Sequence, residues 1–342
     1  MVRSKSKIFA VLALLAALLP AAGAFADEVN IYSSRKEALI KPLLDRFTEQ
    51  TGIAVNLVTG KDGALLQRLK SEGMNSPADL LITADAGNLY RAKAAGVTQP
   101  FVSEALTASI PETYRDPEGH WVGLTLRARP ILYAKDRVDQ KTLSTYEALA
   151  DPAFKGRICI RSSDNIYNQS LVASLIAADG LEATETWAKG LVANLARPPK
   201  GGDRDQIKAA AAGECDLAVA NTYYLAGMLK SQDPAERAAA EAVAVFWPNQ
   251  DGRGTHVNIS GAAVTASAKH KEAAVALVEF LATPEAQAWY AEANGEYPVG
   301  EGVALSPTLA GWGPFKADDL NLGRLGELNA EAVRLMDRAG WR

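Results

Sequence analysis

Two regions of the chain alternate strand-like apolar runs with helical repeats, and an extended segment separates them. The first region contains EVNIYSS and IAVNLVTG, each followed by apolar residues at helical spacing. The separating segment, WVGLTLRARPILYAKDRV, is rich in strand-forming residues and has no helical period. Past residue 245, HVNISGAAVTA predicts a strand pair or a second crossing. Strand–helix alternation predicts parallel sheets, so we expect an α/β protein with two lobes joined by more than one extended crossing.

We expect each lobe to be a mixed sheet flanked by helices. The first lobe is predicted at residues 27–125, with roughly 258–300 returning to it, and the second lobe at 126–257. Helices within 301–342 are expected to pack on the lobes. Ligands of such sheets bind beyond the carboxyl ends of the strands, which places the expected site between the two lobes.

Residues 1–26 have the features of a secretory signal peptide. Three basic residues precede an apolar run from Ile8 to Leu19, which is too short to span a bilayer. Ala24-Phe25-Ala26 fits the small-x-small cleavage rule. We therefore expect cleavage after Ala26 and a periplasmic location; an uncleaved anchor is the alternative.

The exported chain is acidic. The full sequence has 36 Lys and Arg against 40 Asp and Glu, and residues 1–26 contain three of the bases and none of the acids. An acidic protein is a poor partner for nucleic acid or for an anionic membrane surface, so we expect neither.

Cys159 and Cys215 are the only two cysteines. In an oxidising compartment an even number of cysteines suggests a disulfide. Each lies in a strand-like run, so neighbouring strands would bring the two thiols together. Two buried thiols are the alternative, because the sequence does not supply the Cα separation that a disulfide needs.

The usual catalytic motifs are missing from the sequence. His120, His256 and His270 are far apart and do not have metal-ligand spacing. The chain has no C-x-x-C, G-x-S-x-G, P-loop or G-x-G-x-x-G motif. Zinc, soft metals, nucleotide phosphate and a thiol nucleophile therefore lose support, and so does a secreted hydrolase. We expect a binding protein and no enzyme.

Tyrosines follow two strands at the points where those strands end. Tyr167 lies beyond RICIRSS, and Tyr223 and Tyr224 lie beyond CDLAVAN. If both strands belong to one sheet, three phenols meet at one rim. Phenolate is a hard anionic donor, and only a strongly Lewis-acidic cation such as Fe³⁺ deprotonates three phenols near neutral pH. The alternatives are amphipathic rim residues or stacking on an organic ligand.

A second group of residues suits a small anion. The turn RSSDN places Arg161, Ser162 and Asn165 at a strand-to-helix junction, where free N–H groups and hydroxyls bind oxyanions. Arg127 and Arg129 in LRAR point the same way by strand alternation, so either is a candidate to face the cleft. For Arg161 the alternative is a solvated strand end.

The chain resembles the periplasmic ferric-iron-binding proteins of bacterial ABC importers, which belong to the class II solute-binding group. The resemblance covers almost the whole mature chain. Its most specific part is the combination of NIYNQSL with NTYY, supported by VNIYSSR, GLTLRARPILYAKDRV, GTHVNISGAAV and EYPV.

The resemblance implies a two-lobe, type II flytrap that closes on Fe³⁺. It implies that Tyr167, Tyr223 and Tyr224 are the metal ligands and that Arg127 holds a synergistic anion, usually carbonate in such relatives. Ser162 and Asn165 are further candidates for anion binding. It also implies a monomer that delivers the ion to the membrane permease of an ABC importer.

The sequence departs from several family members after YSSR, where those members have a His-Tyr pair of ligands. Here the positions are Lys36 and Glu37. This favours the branch that uses only the tyrosine triad and an anion, with Lys36 facing the anion across the cleft. Glu37 is a candidate carboxylate ligand in the closed state. For both residues the alternative is an exposed charge at a helix start.

One competing function keeps the same architecture. A flytrap that binds a phosphate-like or organic anion at Arg127 and RSSDN, without metal, needs no phenolate ligands. A sensor that hands its closed form to a membrane receptor is a further alternative, which the binding residues do not distinguish from transport.

Overall fold

Alternating strands and helices make up most of the computed structural model, which describes residues 28–342. The predicted signal peptide, residues 1–26, lies outside the described residues. The strands are β1 Glu28–Ser33, β2 Ala54–Thr59, β3 Leu80–Ala84, β4 Val122–Ala128, β5 Ile131–Ala134, β6 Ile158–Cys159, β7 Leu217–Val219, β8 Val243–Phe246 and β9 Val257–Val264.

Fourteen α-helices accompany these strands in the described residues. They are α1 Lys41–Thr51, α2 Asp62–Glu72, α3 Ala86–Ala94, α4 Glu104–Ser109, α5 Ile166–Asp179, α6 Leu181–Ala193, α7 Asp203–Ala212, α8 Thr222–Leu229, α9 Pro234–Glu241, α10 Lys271–Leu281, α11 Pro284–Asn294, α12 Pro307–Gly311, α13 Gly323–Glu327 and α14 Asn329–Arg338. The break between α5 and α6 is at Gly180, whose φ of 82° suits glycine.

The described strands form two mixed sheets. The first has the order β2-β1-β3-β9-β4, with β1 parallel to both neighbours and β9 antiparallel to β3 and β4. The second has the order β6-β7-β5-β8, in which only the β6–β7 pair is parallel. Segment 256–266, predicted as a strand pair or a crossing, forms one strand inside the first sheet.

Helices cover both faces of the first sheet because its strands are apolar on both faces. Ile31 and Ile82 belong to a buried cluster with residues of α1 and α10. Tyr32 and Leu81 point the other way, into a cluster with Leu65 of α2 and other buried residues. This alternation fixes the register of the strands and therefore the positions of their carboxyl ends.

The chain crosses between the sheets twice. The first crossing consists of Arg129 and Pro130, because β4 stays paired with β9 up to Ala128 and β5 begins at Ile131. The second lies between β8 and β9. Near the C-terminus, α13 packs against α3 of the first lobe and α5 of the second. The domain boundaries given above stay predictions.

A disulfide joins the first two strands of the second sheet. Cys159 ends β6, Cys215 precedes β7, and their Cα atoms are 5.9 Å apart. The parallel β6–β7 pairing brings the two cysteines together across a sequence separation of 56 residues. The bridge therefore ties together the two strands that lead to α5 and α8.

Candidate metal centre

Tyr167 is the second residue of α5. The preceding residue but one, Asn165, is the N-cap, and its side-chain oxygen accepts a hydrogen bond from the backbone N–H of Tyr167 at 3.2 Å. Asparagine is among the preferred N-cap residues, so the sequence itself starts the helix here. The cap fixes the backbone that carries the phenol.

Tyr223 and Tyr224 lie in the first turn of α8, which starts directly after β7. Their ring centroids are 4.3 Å apart and the ring planes are tilted by 37°. The start of the helix is therefore where these two neighbouring side chains are able to lie against each other.

The structure brings the three phenols together. Burial and the neighbouring Tyr224 together raise the pKa of Tyr167 to about 12, against a hydrogen-bonding interaction with Tyr223 that lowers it. Burial also raises the pKa of Tyr223 well above its usual value, and both Tyr167 and Tyr224 add to that rise. Tyr224 therefore opposes the ionisation of both Tyr167 and Tyr223, as expected for acidic groups that share one site.

Arg127 brings a positive charge from the first lobe to these phenols. Its guanidinium carbon lies 5.8 Å from the ring centroid of Tyr223, and it lowers the pKa of Tyr167 and Tyr223. One nitrogen donates to Ser260 Oγ at 2.5 Å. The side chain is 2% exposed, and its Nε has no hydrogen-bond partner among the described residues. Arg127 therefore has hydrogen-bonding capacity to spare for a ligand.

Arg35, Ser260 and Glu296 complete the first-lobe side of the site, and the sequence analysis did not select them. Arg35 donates to Ser260 Oγ and to Glu296, both at 2.7 Å. Burial would raise the pKa of Glu296, but Arg35 and Arg127 hold it below its usual range. Two guanidiniums therefore face one carboxylate beside the phenols. The only signal in the sequence was that Arg35 ends YSSR and Glu296 begins EYPV, two of the segments that resemble the family.

The other arginine of LRAR has a different environment. Arg129 is 1% exposed, and its guanidinium donates to Asp203 and Asn221, both at 2.9 Å, and to Asn168 at 2.7 Å. It lies 6.0 Å from the ring centroid of Tyr167. Both arginines have a buried Nε without a hydrogen-bond partner among the described residues, but Arg129 is tied to three polar side chains and Arg127 to Ser260 alone.

The turn predicted to bind an anion uses much of its polarity internally. The Ser162 hydroxyl donates to the carboxylate of Asp164, and the Asn165 oxygen caps α5. Arg161 lies 3.7 Å from Asp203 and 5.9 Å from the ring centroid of Tyr167. The anion-binding roles of Ser162 and Asn165 stay predictions.

Lys36 and Glu37 are both exposed at the start of a short 3-10 helix, Glu37–Leu39. Within residues 28–342, neither side chain makes a hydrogen bond or an ion pair. Their positions match the alternative of exposed charges at a helix start. Their roles toward the anion and the metal stay predictions.

Within residues 28–342, His, Cys, Asp and Glu side chains form no second candidate metal site. The described residues contain no group of three or more His, Cys, Asp or Glu side chains that suits a metal ion. Burial lowers the pKa of His256 to about 3, so this imidazole is neutral. Every helix within residues 28–342 is too short or too polar to cross a bilayer.

The chain matches the family described as bacterial extracellular solute-binding proteins over residues 43–317. It is 53% identical to iron uptake protein A1 of Synechocystis sp. over 316 residues, which cover 92% of this chain and 88% of that protein. It is 28% identical to the major ferric iron-binding protein of Neisseria meningitidis over 333 residues, covering 96% and 97%.

Solved structures of iron-binding proteins have the same fold as this chain. FutA (IdiA) of Trichodesmium, in complex with iron and citrate ligands, matches with a TM-score of 0.90 at 51% identity, covering 92% of this chain and 100% of that one. A ferric binding protein of Campylobacter jejuni matches with a TM-score of 0.87 at 42% identity, covering 92% and 100%. The prediction of a two-lobe, type II binding-protein fold is confirmed.

Proposed function

The chain belongs to the bacterial extracellular solute-binding proteins, and we propose that it captures Fe³⁺ and delivers it to an ABC importer. The phenolates of Tyr167, Tyr223 and Tyr224 are the proposed ligands. Relatives over almost the whole chain are named for iron uptake or ferric iron binding, which supports the choice of cargo.

One observation carries the ligand assignment. Tyr224 raises the pKa of Tyr167, Tyr223 interacts with Tyr167 by hydrogen bonding, and both Tyr167 and Tyr224 raise the pKa of Tyr223, so the three hydroxyls share one small volume. Phenols with raised pKa values stay protonated at neutral pH in the absence of cargo. A trivalent ion offsets three phenolate charges, whereas a divalent ion leaves the site negative, which favours Fe³⁺ over Fe²⁺.

Carbonate is the proposed synergistic anion, held by Arg127. A buried guanidinium with an unpaired Nε suits a planar oxyanion that accepts two hydrogen bonds. Ser162, Asn165 and Lys36 are further candidates from the rim of the cleft, and Glu37 is a candidate ligand after closure. Citrate is the competing anion, because the Trichodesmium relative was solved with iron and citrate.

Lobe closure supplies the rest of the proposed mechanism. Three phenolates lie on second-lobe helices and Arg127 lies on β4 of the first lobe, so closure removes water between opposite charges and strengthens their attraction. We propose that the cleaved, periplasmic protein acts as a monomer, catalyses no reaction and releases its ion at the importer's membrane permease.

The absorption spectrum tests this function. Purified protein with one equivalent of Fe³⁺ and bicarbonate should show a visible phenolate-to-iron charge-transfer band, and the double variant Tyr223→Phe/Tyr224→Phe should lose the band and tight binding. Tyr133→Phe is the matched control, because Tyr133 lies in the same lobe with its hydroxyl bonded to Gln140 at 2.8 Å. A colourless wild-type protein, or full iron retention in the double variant, would refute the proposal.

The anion-only function makes the opposite prediction. The unpaired nitrogen of Arg127 also favours a phosphate-like or organic anion without metal. In that case calorimetry would detect the anion binding equally well with and without Fe³⁺, and Arg127→Met would abolish it.

A further inference from the structure

We propose that Arg129 is the positioning residue of the tyrosine triad: its buried guanidinium holds the starts of three second-lobe helices at fixed distances from one another. The inference rests on the proposed function of that triad. Arg129 touches none of the three phenols through a hydrogen bond, so its contribution acts through the helices.

The contacts of Arg129 reach one residue next to each tyrosine segment. Asn168 follows Tyr167 on α5 and accepts at 2.7 Å. Asn221 is the N-cap residue of α8, directly ahead of the Thr222-Tyr223-Tyr224 turn, and accepts at 2.9 Å. One planar guanidinium thus joins the helix of Tyr167 to the helix of the tyrosine pair.

Asp203 at the start of α7 closes this arrangement. It accepts from Arg129 at 2.9 Å and from the backbone N–H of Asn221 at 3.1 Å. Its side chain is 0% exposed, so the charge is stabilised by Arg129 and, at 3.7 Å, by Arg161. A buried carboxylate with these partners favours one geometry, because moving the helices apart leaves buried polar groups unpaired.

At the N-cap of α8, the hydrogen bond from Arg129 to Asn221 takes the place of the usual bond between the cap side chain and the helix. Asparagine at an N-cap normally accepts a hydrogen bond from the second or third helical N–H, as Asn165 does on α5. Asn221 makes no such side-chain bond in α8, since its oxygen accepts from Arg129 instead. The chain therefore forgoes a standard helix cap to hold α8 against α5.

The anchor is itself fixed on both sides. The backbone N–H of Arg129 donates to the carbonyl of His256 at 3.1 Å, and its carbonyl accepts from the hydroxyl of Tyr146 at 2.7 Å. Ligands are held accurately when the residues behind them are locked in this way. Supporting residues of metal sites typically change affinity about 10- to 100-fold when they are removed.

Three variants and one control test the role. Arg129→Met removes every contact, and Arg129→Lys keeps the charge but not the planar set of donors. Asn221→Ser removes the long acceptor arm while serine still caps α8, so this variant is expected to fold even where Arg129→Met does not. Arg253→Met is the control. This substitution removes the ion pairs of Arg253 with Glu147 and Asp318, and neither partner lies on α5, α7 or α8.

We expect Arg129→Met to weaken Fe³⁺ binding about 10- to 100-fold and to move the maximum of the charge-transfer band. Arg129→Lys should recover part of the loss, and Asn221→Ser should move the band while lowering the melting temperature less than Arg129→Met does. Arg253→Met should lower the melting temperature and leave the band in place. Wild-type bands and affinities in Arg129→Met and Asn221→Ser, or an equal band shift in Arg253→Met, would overturn the inference.

A metal-free measurement separates this inference from the proposed function. Protein labelled with 3-fluorotyrosine gives one ¹⁹F resonance for each tyrosine. Asn221→Ser keeps the guanidinium, so shifts of Tyr223 and Tyr224 without a shift of Tyr133 report a change of position. If these shifts occur and wild-type protein binds no iron, the positioning role stands and the iron function fails. If they do not occur, the positioning role fails whether or not iron binds.

Discussion

Asp85 of the first lobe and Ser170 of the second are hydrogen-bonded in the protein interior: the Ser170 hydroxyl donates to the Asp85 carboxylate at 2.8 Å. Both side chains are fully buried. Asp85 caps α3 and also accepts from Asn258 of β9 at 2.9 Å, while Ser170 lies on α5, the helix that carries Tyr167. The contact thus connects the two lobes beside the site.

Replacing Ser170 with alanine should destabilise the protein by about 1–3 kcal/mol, because the buried carboxylate of Asp85 then loses one donor. Urea denaturation measures the change in the free energy of unfolding. Ser174→Ala is the matched control on the same helix, since the buried Ser174 hydroxyl bonds only to the nearby Leu171 carbonyl at 2.8 Å. Equal losses in the two variants would show that the bond between lobes has no special weight.

Stability at acid pH should depend on Glu296. Burial opposes ionisation, yet Arg35 and Arg127 hold the pKa of Glu296 below its usual range. A carboxyl whose pKa is lowered by folding adds stability above its unfolded pKa, about 4.3, and that stability disappears as pH falls through the lower folded value.

Urea denaturation of the metal-free protein from pH 6 downward checks this dependence. Glu296→Gln should be less stable at pH 6, because it breaks a buried ion pair, and its stability should change less below pH 4.3. The same acid dependence in wild type and Glu296→Gln would contradict the assignment.

Reducing the Cys159–Cys215 disulfide should lower the free energy of unfolding. The two cysteines are 56 residues apart in sequence. In the chain-entropy model, closing a loop of this length lowers the entropy of the unfolded chain and stabilises the folded protein by about 4 kcal/mol. The double variant Cys159→Ser/Cys215→Ser should show a similar loss without reductant. Added reductant should leave that variant unchanged, and an effect there would point to a cause other than the disulfide.

Gly295 packs against the helix of the tyrosine pair. A Cβ at this position would lie 2.5 Å from the Ala226 Cβ and 3.8 Å from the Tyr223 Cα. Gly295→Ala should therefore displace α8, weaken Fe³⁺ binding and move the charge-transfer band. Gly302 has a similar left-handed φ of 74° but no atoms within 4 Å of a Cβ, so Gly302→Ala carries the backbone strain alone. An unchanged band in Gly295→Ala would refute this prediction.

Iron binding should release protons. The pKa of Tyr167, raised by burial to about 12, means that this phenol is protonated at neutral pH before the ion binds. Affinity should rise with pH by about tenfold per unit for each phenol that ionises. Proton release on Fe³⁺ addition in weakly buffered solution should be one proton smaller in Tyr167→Phe than in wild type. Equal release in the two proteins would exclude Tyr167 as a ligand.

Local sequence was sufficient for the parts of the site that depend on strand and helix boundaries. NIYNQSL and NTYY each begin a helix after a short strand, so the places of Tyr167 and of the tyrosine pair follow from nearby residues and from the resemblance. The helix ends at Gly52 and Gly213 depend on nearby residues in the same way, because both glycines adopt the left-handed conformation that ends a helix.

Contacts between distant residues were not accessible in this way. Arg35 and Glu296 are 261 residues apart in sequence, and Arg129 and Asp203 are 74 apart. A lone arginine after a strand is usually solvated, and nothing in the neighbouring residues shows that a carboxylate covers it. Strand alternation gave Arg127 and Arg129 the same direction, but the change of sheet at Pro130 gives them different partners.

All three phenols project from helices of the second lobe, and the first lobe adds Arg127. The ion is therefore able to bind to the second lobe while the protein is still in an open conformation. The tyrosine triad then determines the selectivity for the ion, and the first lobe determines how slowly the bound ion dissociates. Damage to the first lobe should then shorten the residence time of the ion far more than it slows the ion's arrival.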